Sequence, residues 1–179
     1  MIKIQGCVDQ NYMVLGLGRS GMASVRALSA SGANVVCWDD DEEKRCLASA
    51  KCLQIKNPIS DFDWRSVDRL IISPGIPHHF PSPHPIISAA IAAGVLIDND
   101  VGLFFQSVAT ESWNNFSVRP KIIAVTGSNG KSTTASLLYY IFSTLGYKSQ
   151  LAGNIGRGVL DIDPPGNNEI IILELSSYQ

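Results

Sequence analysis

Short apolar runs alternate with segments of helical periodicity along the first hundred residues of the chain. Apolar and β-branched residues fill the runs, which predicts buried strands, and apolar residues recur at helical spacing between them. The pattern predicts strands over residues 12–15, 34–38, 53–56, 68–73 and 95–97, and helices over 20–31, 42–50 and 86–93. Strands that alternate with helices in this way are typical of βαβ units, so we expect a parallel sheet.

A proline-rich segment interrupts this alternation at residues 77–85. Its four prolines in nine positions exclude a helix or a ladder strand, because proline has no backbone N–H to donate. The histidines His78, His79 and His84 all lie in this segment, without an acidic or cysteine partner there. We therefore expect exposed loop residues rather than metal ligands.

The pattern changes between residues 107 and 120, where polar residues become frequent and no clear period is visible. We place a domain boundary there, which divides the chain into residues 1–118 and 119–179. Beyond it, strands are predicted over residues 121–126, 148–152 and 169–175, and a strongly amphipathic helix over 131–145. The last strand is expected inside a sheet with one side unpaired, which would favour aggregation.

Composition and charge exclude several classes of protein. Hydrophobic residues make up 45% of the 179 residues, enough for a core, so disorder is excluded. The 14 basic and 16 acidic side chains give a net charge of −2, which argues against nucleic acid or a membrane surface as a partner. No signal peptide is visible, and the longest apolar stretch is too short to span a membrane. Four cysteines without zinc or disulfide spacing favour free thiols and a cytoplasmic location.

The first candidate site is a glycine-rich turn between a predicted strand and a predicted helix. Gly16, Gly18 and Gly21 fit the GxGxxG pattern, whose glycines let backbone N–H groups approach a diphosphate at a helix N-terminus. Asp39 lies about 20 residues further on, where an acidic side chain can accept bonds from a ribose hydroxyl. NAD is the usual inference, but the pattern reports only a nucleotide-like diphosphate, and a tight turn without a ligand stays open.

A second glycine-rich turn is more specific. It consists of Gly127, Ser128, Asn129, Gly130, Lys131, Ser132 and Thr133. The common P-loop has a glycine where this chain has Val125, so the loop is short. Its N–H groups still form an anion nest, Lys131 supplies a charge for the β- and γ-phosphates, and Ser132 offers a hydroxyl to Mg²⁺.

A magnesium site also needs a carboxylate near this turn. Glu174 ends an apolar strand, where a buried charge is costly unless it meets a cation. Asp161 and Asp163 are alternatives, but the prolines that follow place them on a loop, so solvated side chains are expected there.

Five motifs together carry a resemblance to a known family. They are GLGRSG at 16–21, SPGIP at 73–77, TGSNGKST at 126–133, GNIG at 153–156 and ELSSYQ at 174–179. In this order and spacing the chain resembles the Mur ligases, ATP-dependent ligases of bacterial peptidoglycan synthesis. Two sequences within the third and the last motif, SNGKS and ELSSYQ, favour the member that adds D-glutamate.

The resemblance implies a Rossmann-like parallel-sheet domain that binds UDP-N-acetylmuramoyl-L-alanine instead of NAD, followed by the start of a P-loop ATPase-like α/β domain. The residues that it implies as substrate contacts are Arg19, Ser20, Asp39, Asp40, Ser73, Pro74, Gly75, Asn154 and Ser176. It further implies that residues 127–133 hold ATP, with Lys131 as a catalytic residue, and that Ser132 and Glu174 hold Mg²⁺. The reaction implied is phosphorylation of the alanyl carboxylate by ATP, followed by attack of the D-glutamate amine on the acyl phosphate.

The chain departs from the family pattern in two places. Gly102 stands where members often have a glutamate, and the family's later strands and C-terminal domain would lie beyond Gln179. We therefore expect a truncated N-terminal part that does not ligate by itself, belonging to an enzyme that is monomeric at full length. Two other hypotheses remain: a non-catalytic, NAD-like nucleotide-sensing Rossmann module, and a P-loop ATPase or kinase.

Overall fold

The computed structural model of the chain contains two parallel β-sheets with helices packed against them. It describes residues 1–51, 53–60, 62–78, 82–109 and 116–176. The α/β class predicted from the alternating pattern is therefore confirmed. The predicted boundary near Arg119 lies between the last helix of the first half and the first strand of the second, and it stays a prediction.

The first sheet has five strands in the order β3-β2-β1-β4-β5, all of them parallel. Its strands are β1 (Asn11–Leu15), β2 (Asn34–Trp38), β3 (Gln54–Ile55), β4 (Arg69–Ile72) and β5 (Leu96–Asn99). Its helices are α1 (Arg19–Ala30), α2 (Glu42–Ser49), α3 (Pro85–Ala92) and α4 (Asp100–Ala109), with a 3₁₀ turn at Trp64–Ser66. Since β2 and β4 lie on opposite sides of β1, the strand order reverses between β1 and β4, where open α/β sheets bind ligands.

The second sheet has three parallel strands in the order β6-β8-β7. Its elements are β6 (Lys121–Val125), α5 (Lys131–Thr144), β7 (Ser149–Gly153) and β8 (Ile170–Glu174). The expectation that the last strand has an unpaired side is wrong, because β8 pairs with β6 on one side and β7 on the other. Within the described residues, the open edges of this sheet belong to β6 and β7.

Most predicted elements are confirmed to within about two residues, and the exceptions have local causes. Pro85 begins α3 instead of ending the loop, since proline at the first helical position loses no helical hydrogen bond. The helix α4 has no counterpart among the predicted elements; its sequence contains Gly102, a poor helix former. The strong amphipathicity predicted for α5 is not realised, because apolar side chains such as Tyr140, 68% exposed, also lie on its outer face.

One hydrophobic core runs through both halves of the chain. Ala23 and Val25 of α1 share it with Leu160 and Ile162 from the β7–β8 connection and with Ile171 of β8. Polar contacts reinforce it: the Ile2 N–H donates to the Leu160 carbonyl at 3.0 Å, and Arg26 donates to both carboxylate oxygens of Asp161 at 2.9 and 2.8 Å. The shared core holds α1, and the glycine turn before it, against the second half.

The described helices include none that is both long and apolar enough to cross a membrane. Cys7, Cys37 and Cys46 are free thiols, and burial raises the pKa of Cys37 to about 11. Cys52 lies outside the described residues.

The glycine at position 102 has a structural reason. A Cβ atom there would lie 1.8 Å from Oδ1 of Asp98, so the Asp98 carboxylate occupies the space where a side chain would begin. That carboxylate accepts a hydrogen bond from Arg69 at 3.0 Å, and the same Arg69 nitrogen donates to Gln106 at 2.8 Å. The Arg69–Asp98 ion pair joins β4 to β5, and the bond from Arg69 to Gln106 attaches α4 to both. Gly102, where the chain departs from the family pattern, leaves space for this ion pair.

We predict that Gly102→Ala lowers the free energy of unfolding by about 1–3 kcal/mol, because the new methyl group displaces the Asp98 carboxylate from Arg69. In an Asp98→Ala background the methyl group has space, and the same substitution should cost less than about 1 kcal/mol. Urea unfolding of the wild type, both single variants and the double variant measures the difference. Equal costs in the two backgrounds would contradict the steric explanation.

Candidate functional site

The first glycine turn lies at the carboxyl end of β1, beside the point where the strand order reverses. A Cβ atom on Gly21 would lie 1.7 Å from the Gly16 carbonyl oxygen, so the turn closes this tightly only with glycine at position 21. The Ser73 hydroxyl, just after β4, donates to that same carbonyl at 2.9 Å. The contact joins the ends of β1 and β4 and positions the turn at the crevice.

Asp39 follows β2 and holds the first glycine turn by its backbone. The residue is only 8% exposed; its Oδ2 accepts from the Leu17 N–H at 2.6 Å and its Oδ1 from the Asp41 N–H at 2.9 Å. Lys44 lies 3.5 Å from the same carboxylate. An acid at this spacing suggests a ribose contact from sequence alone. Here the residue is nearly buried and each oxygen holds a backbone N–H group, so little of the carboxylate is accessible to a ribose, which weighs against the NAD hypothesis.

Asp40 is exposed and pairs with a histidine of the proline-rich segment. Its Oδ2 lies 2.8 Å from Nε2 of His84, and its Oδ1 accepts from the Trp38 indole at 3.1 Å. The hydrogen bond from His84 lowers the pKa of Asp40, while partial burial opposes the shift. The His84 Nδ1 accepts from the Ile86 N–H at 3.3 Å and caps α3, which assigns the proton to Nε2.

The expectation of exposed loop histidines is therefore wrong for His84, whose side chain is only 13% exposed. His78 is exposed, as expected, and His79 lies outside the described residues. The sequence gives no signal for the His84 contact, because Asp40 lies 44 residues away along the chain.

The second glycine turn connects β6 to α5. Gly127 has φ +137° and Gly130 has φ +76°, conformations that L side chains rarely adopt, and a Cβ atom on either would meet open space. Lys131 begins α5, and its Nζ donates to the carbonyls of Gly127 at 2.7 Å and Ser128 at 3.3 Å. The remaining predicted members, Asn129, Ser132 and Thr133, are exposed. An open turn with a lysine folded over it fits a phosphate chain.

Glu174 ends β8 beside this turn and is 3% exposed. Its Oε1 accepts from the Ser132 hydroxyl at 3.1 Å, and its Oε2 is buried without a hydrogen-bond partner among the described residues. A buried carboxylate oxygen without a donor fits a cation. The described residues contain no group of three or more His, Cys, Asp or Glu side chains that could hold a metal ion by themselves.

The two alternative acids already have basic partners. Asp161 pairs with Arg26 at 2.8 Å, and Asp163 pairs with Arg157 at 2.9 Å. The hydrogen bond from Arg157 lowers the pKa of Asp163.

Arg19 connects the two halves of the candidate site. Its Nη2 donates to the carbonyls of Gly153, at 3.0 Å, and Asn154, at 2.5 Å. The Asn154 N–H in turn donates to the Glu174 carbonyl at 2.9 Å. The structure thus brings Arg19 and Asn154 into contact, although they lie 135 residues apart along the chain.

The remaining predicted residues lie just beyond the ends of β1, β4 and β8. Ser20 is in the first turn of α1 and its carbonyl accepts from the Ser24 hydroxyl at 3.1 Å, while Pro74 and Gly75 form a turn after β4. Ser176 follows β8 and is partly buried; the motif residues 177–179 lie outside the described residues. No ligand contact tests these assignments, which stay predictions.

Comparison with known proteins points to one family. Residues 10–98 match the family model described as Mur ligase MurD-like, N-terminal domain. The chain is 52% identical over 182 residues to a UDP-N-acetylmuramoylalanine--D-glutamate ligase of Roseobacter denitrificans, covering 100% of this chain and 39% of that protein. It is 53% identical over 174 residues to the protein of that name in Jannaschia sp., covering 97% and 38%. The chain therefore spans about two fifths of the length of these relatives.

A solved structure also resembles the chain. The UDP-N-acetylmuramate:L-alanyl-gamma-D-glutamyl-meso-diaminopimelate ligase of Neisseria meningitides is 16% identical, with a TM-score of 0.49, over 93% of this chain and 52% of that one.

We predict that His84→Gln raises the pKa of Asp40 toward the ordinary carboxyl value, because the largest hydrogen-bond contribution is weakened. The lowered pKa means that the pair stabilises the fold above the ordinary carboxyl pKa and that this stabilisation is lost as the pH falls through the Asp40 pKa. NMR titration of the Asp40 carboxyl carbon measures the shift. Trp38→Phe, which removes the weaker donor, should give a smaller rise; an unmoved Asp40 in His84→Gln would contradict the assignment.

Proposed function

The chain belongs to the Mur ligases through its MurD-like N-terminal domain, and from this we propose that it serves an ATP-dependent enzyme that joins D-glutamate to UDP-N-acetylmuramoyl-L-alanine. The observation that carries the proposal is the presence of two glycine turns, each between a strand and a helix, that Arg19 and Glu174 connect. Arg19 of the first turn donates to the carbonyls of Gly153 and Asn154, and these residues lie against Glu174, whose side chain accepts from Ser132 of the second turn. A ligase that activates one nucleotide-linked substrate with a second nucleotide requires two such sites near one another. The relatives that share half of its residues are named for this reaction.

The first turn is the proposed site for the UDP-linked substrate. The N-terminus of α1 has no acidic residue in its first turn and no side-chain cap, so its N–H groups and positive dipole end favour an anion. The residues that we propose around this substrate are Arg19, Ser20, Asp39, Asp40, Ser73, Pro74, Gly75, Asn154 and Ser176. Of these, Asp39 acts on the substrate through the turn that it holds in place.

The second turn is the proposed site for ATP and Mg²⁺. Residues 127–133 would hold the phosphates, and Lys131 would exchange its loop carbonyls for phosphate oxygens and stabilise the charge that develops on the transferred group. Glu174 and Ser132 would hold the cation, which the unpartnered Oε2 supports. When bound, ATP would supply the phosphoryl group that makes the alanyl carboxylate a workable acyl donor for the D-glutamate amine. We place this activity in the cytoplasm, because it consumes two nucleotide substrates.

We predict that the chain binds UDP-N-acetylmuramoyl-L-alanine and not NADH, because Asp39 is nearly buried against the turn and its carboxylate is poorly accessible to a dinucleotide ribose. Calorimetry with each ligand measures this. Ser73→Ala, which removes the hydrogen bond to Gly16, should weaken the binding, whereas Ser66→Ala, whose hydroxyl binds Asp63 on a different turn, should not. Binding of NADH alone would favour the nucleotide-sensing module.

We predict that substitutions of Lys131 and Glu174 affect ATP binding differently. Lys131→Met should weaken ATP binding with or without Mg²⁺, because it removes a charge that meets the phosphates directly. Glu174→Gln should remove only the part that Mg²⁺ adds, by roughly tenfold, since it neutralises the proposed ligand. Titration of each variant with ATP in Mg²⁺ and in EDTA separates the two effects. Asp163→Asn is the matched control, and a loss as large as that of Glu174→Gln would contradict the assignment.

A further inference from the structure

A continuous series of hydrogen bonds runs from the first glycine turn to the second, and it begins at Arg19. Arg19 is the first residue of α1 and immediately follows the glycine Gly18. Its guanidinium places one nitrogen, Nη2, on two consecutive backbone carbonyls, those of Gly153 and Asn154. A charged donor shared by adjacent carbonyls fixes the direction in which both point. Arg19 therefore holds the turn that leaves β7.

That turn lies directly against Glu174. Gly153 is in register with Glu174 in the β7–β8 ladder, and a Cβ atom on Gly153 would lie 2.1 Å from the Glu174 carbonyl oxygen. The same carbonyl accepts the Asn154 N–H at 2.9 Å. With no side chain between them, a displacement of the turn at 153–154 must displace the end of β8.

The end of β8 also sets the geometry of the second glycine turn. Val125, the last residue of β6, is in register with Glu174, and its carbonyl accepts the Leu175 N–H at 2.9 Å. The Glu174 side chain accepts from Ser132 in the first turn of α5. Backbone and side chain thus connect the turn held by Arg19 to both ends of the second glycine turn.

Arg19 keeps donors for a ligand while it makes these bonds. Among the described residues, its Nη1 and Nε donate to no acceptor. A guanidinium has five N–H groups, so Nη1 and Nε can each donate to a phosphate oxygen while Nη2 stays on the carbonyls.

We propose that Arg19 is a positioning residue that couples occupancy of the first glycine turn to occupancy of the second. The inference rests on the proposed function for the identity of the two ligands. A diphosphate at the first turn accepts hydrogen bonds from Nη1 or Nε and orders the guanidinium. The ordered guanidinium restrains the turn at 153–154, and so the Glu174 carboxylate, before the second ligand arrives. The second ligand then loses less conformational freedom on binding, which gives positive cooperativity, and the effect is reciprocal.

The chain offers a matched control in Arg26, on the same helix. Arg26 also crosses to the second half, where it donates to the Asp161 carboxylate at 2.9 and 2.8 Å. Both arginines contribute to the contact between the halves, but only Arg19 touches the turn next to Glu174. A loss of general contact between the halves would therefore appear in both variants, and a loss of coupling only in Arg19→Gln.

Calorimetry tests the coupling. The dissociation constant of Mg·ADP is measured with and without saturating UDP-N-acetylmuramoyl-L-alanine, for the wild type, Arg19→Gln and Arg26→Gln. We expect the UDP-linked ligand to tighten Mg·ADP binding about fivefold or more in the wild type and in Arg26→Gln, and less than about twofold in Arg19→Gln. Absence of coupling in the wild type, equal coupling in Arg19→Gln, or an equal loss in Arg26→Gln overturns the inference.

Amide hydrogen exchange of the ligand-free chain separates this inference from the proposed function. The Gly153 N–H donates to the Arg157 carbonyl and the Asn154 N–H to that of Glu174, so both amides are protected. We expect Arg19→Gln to speed their exchange about tenfold and Arg26→Gln to leave it unchanged. Unchanged exchange in Arg19→Gln overturns the positioning role whatever the ligands are. Faster exchange in a chain that binds no UDP-linked ligand supports the positioning role and refutes the proposed function instead.

Discussion

The buried carboxylate of Glu174 is the constraint around which the second half of the chain is arranged. A charge that is almost fully removed from water is costly unless donors or a cation meet it. Ser132 supplies one donor, and the second oxygen is left without one among the described residues. Because the three strands β6, β8 and β7 pair in register at this level, the same position fixes where both flanking turns leave the sheet.

Parallel pairing explains why the candidate residues gather at strand ends. All five strands of the first sheet point the same way, so the turns after β1, β2 and β4 meet at one edge. Some polar groups at this edge hydrogen-bond to the neighbouring turns and are therefore less accessible to a ligand. Asp39 is the main example: its burial and its two backbone donors make it part of the scaffold of the turn. Ligand recognition is left to groups that stay exposed, such as Nη1 and Nε of Arg19.

The sequence predicts elements well where periodicity and local chemistry agree. Both glycine turns, the strands around them and the acid at position 174 follow from patterns within about ten residues. The contacts that the sequence does not predict join residues that lie far apart along the chain. The contact between Arg19 and Gly153 spans 134 residues, and His84 finds Asp40 only after the proline-rich segment has packed beside β2. The helix α4 was missed because Gly102 weakens its local signal, and the glycine is explained only by the Asp98 carboxylate beside it.

The position of β8 in its sheet determines an order of events during synthesis of the chain. β8 follows β6 and β7 along the chain, yet it lies between them in the sheet. Until residues 170–174 emerge, β6 and β7 have no ladder partner, whereas every strand of the first sheet has already been made. Pairings between segments far apart in sequence form slowly, because the intervening chain must be ordered first. During synthesis the first sheet can therefore form before the second, and the face of α1 that packs against Leu160 and Ile171 is covered only afterwards.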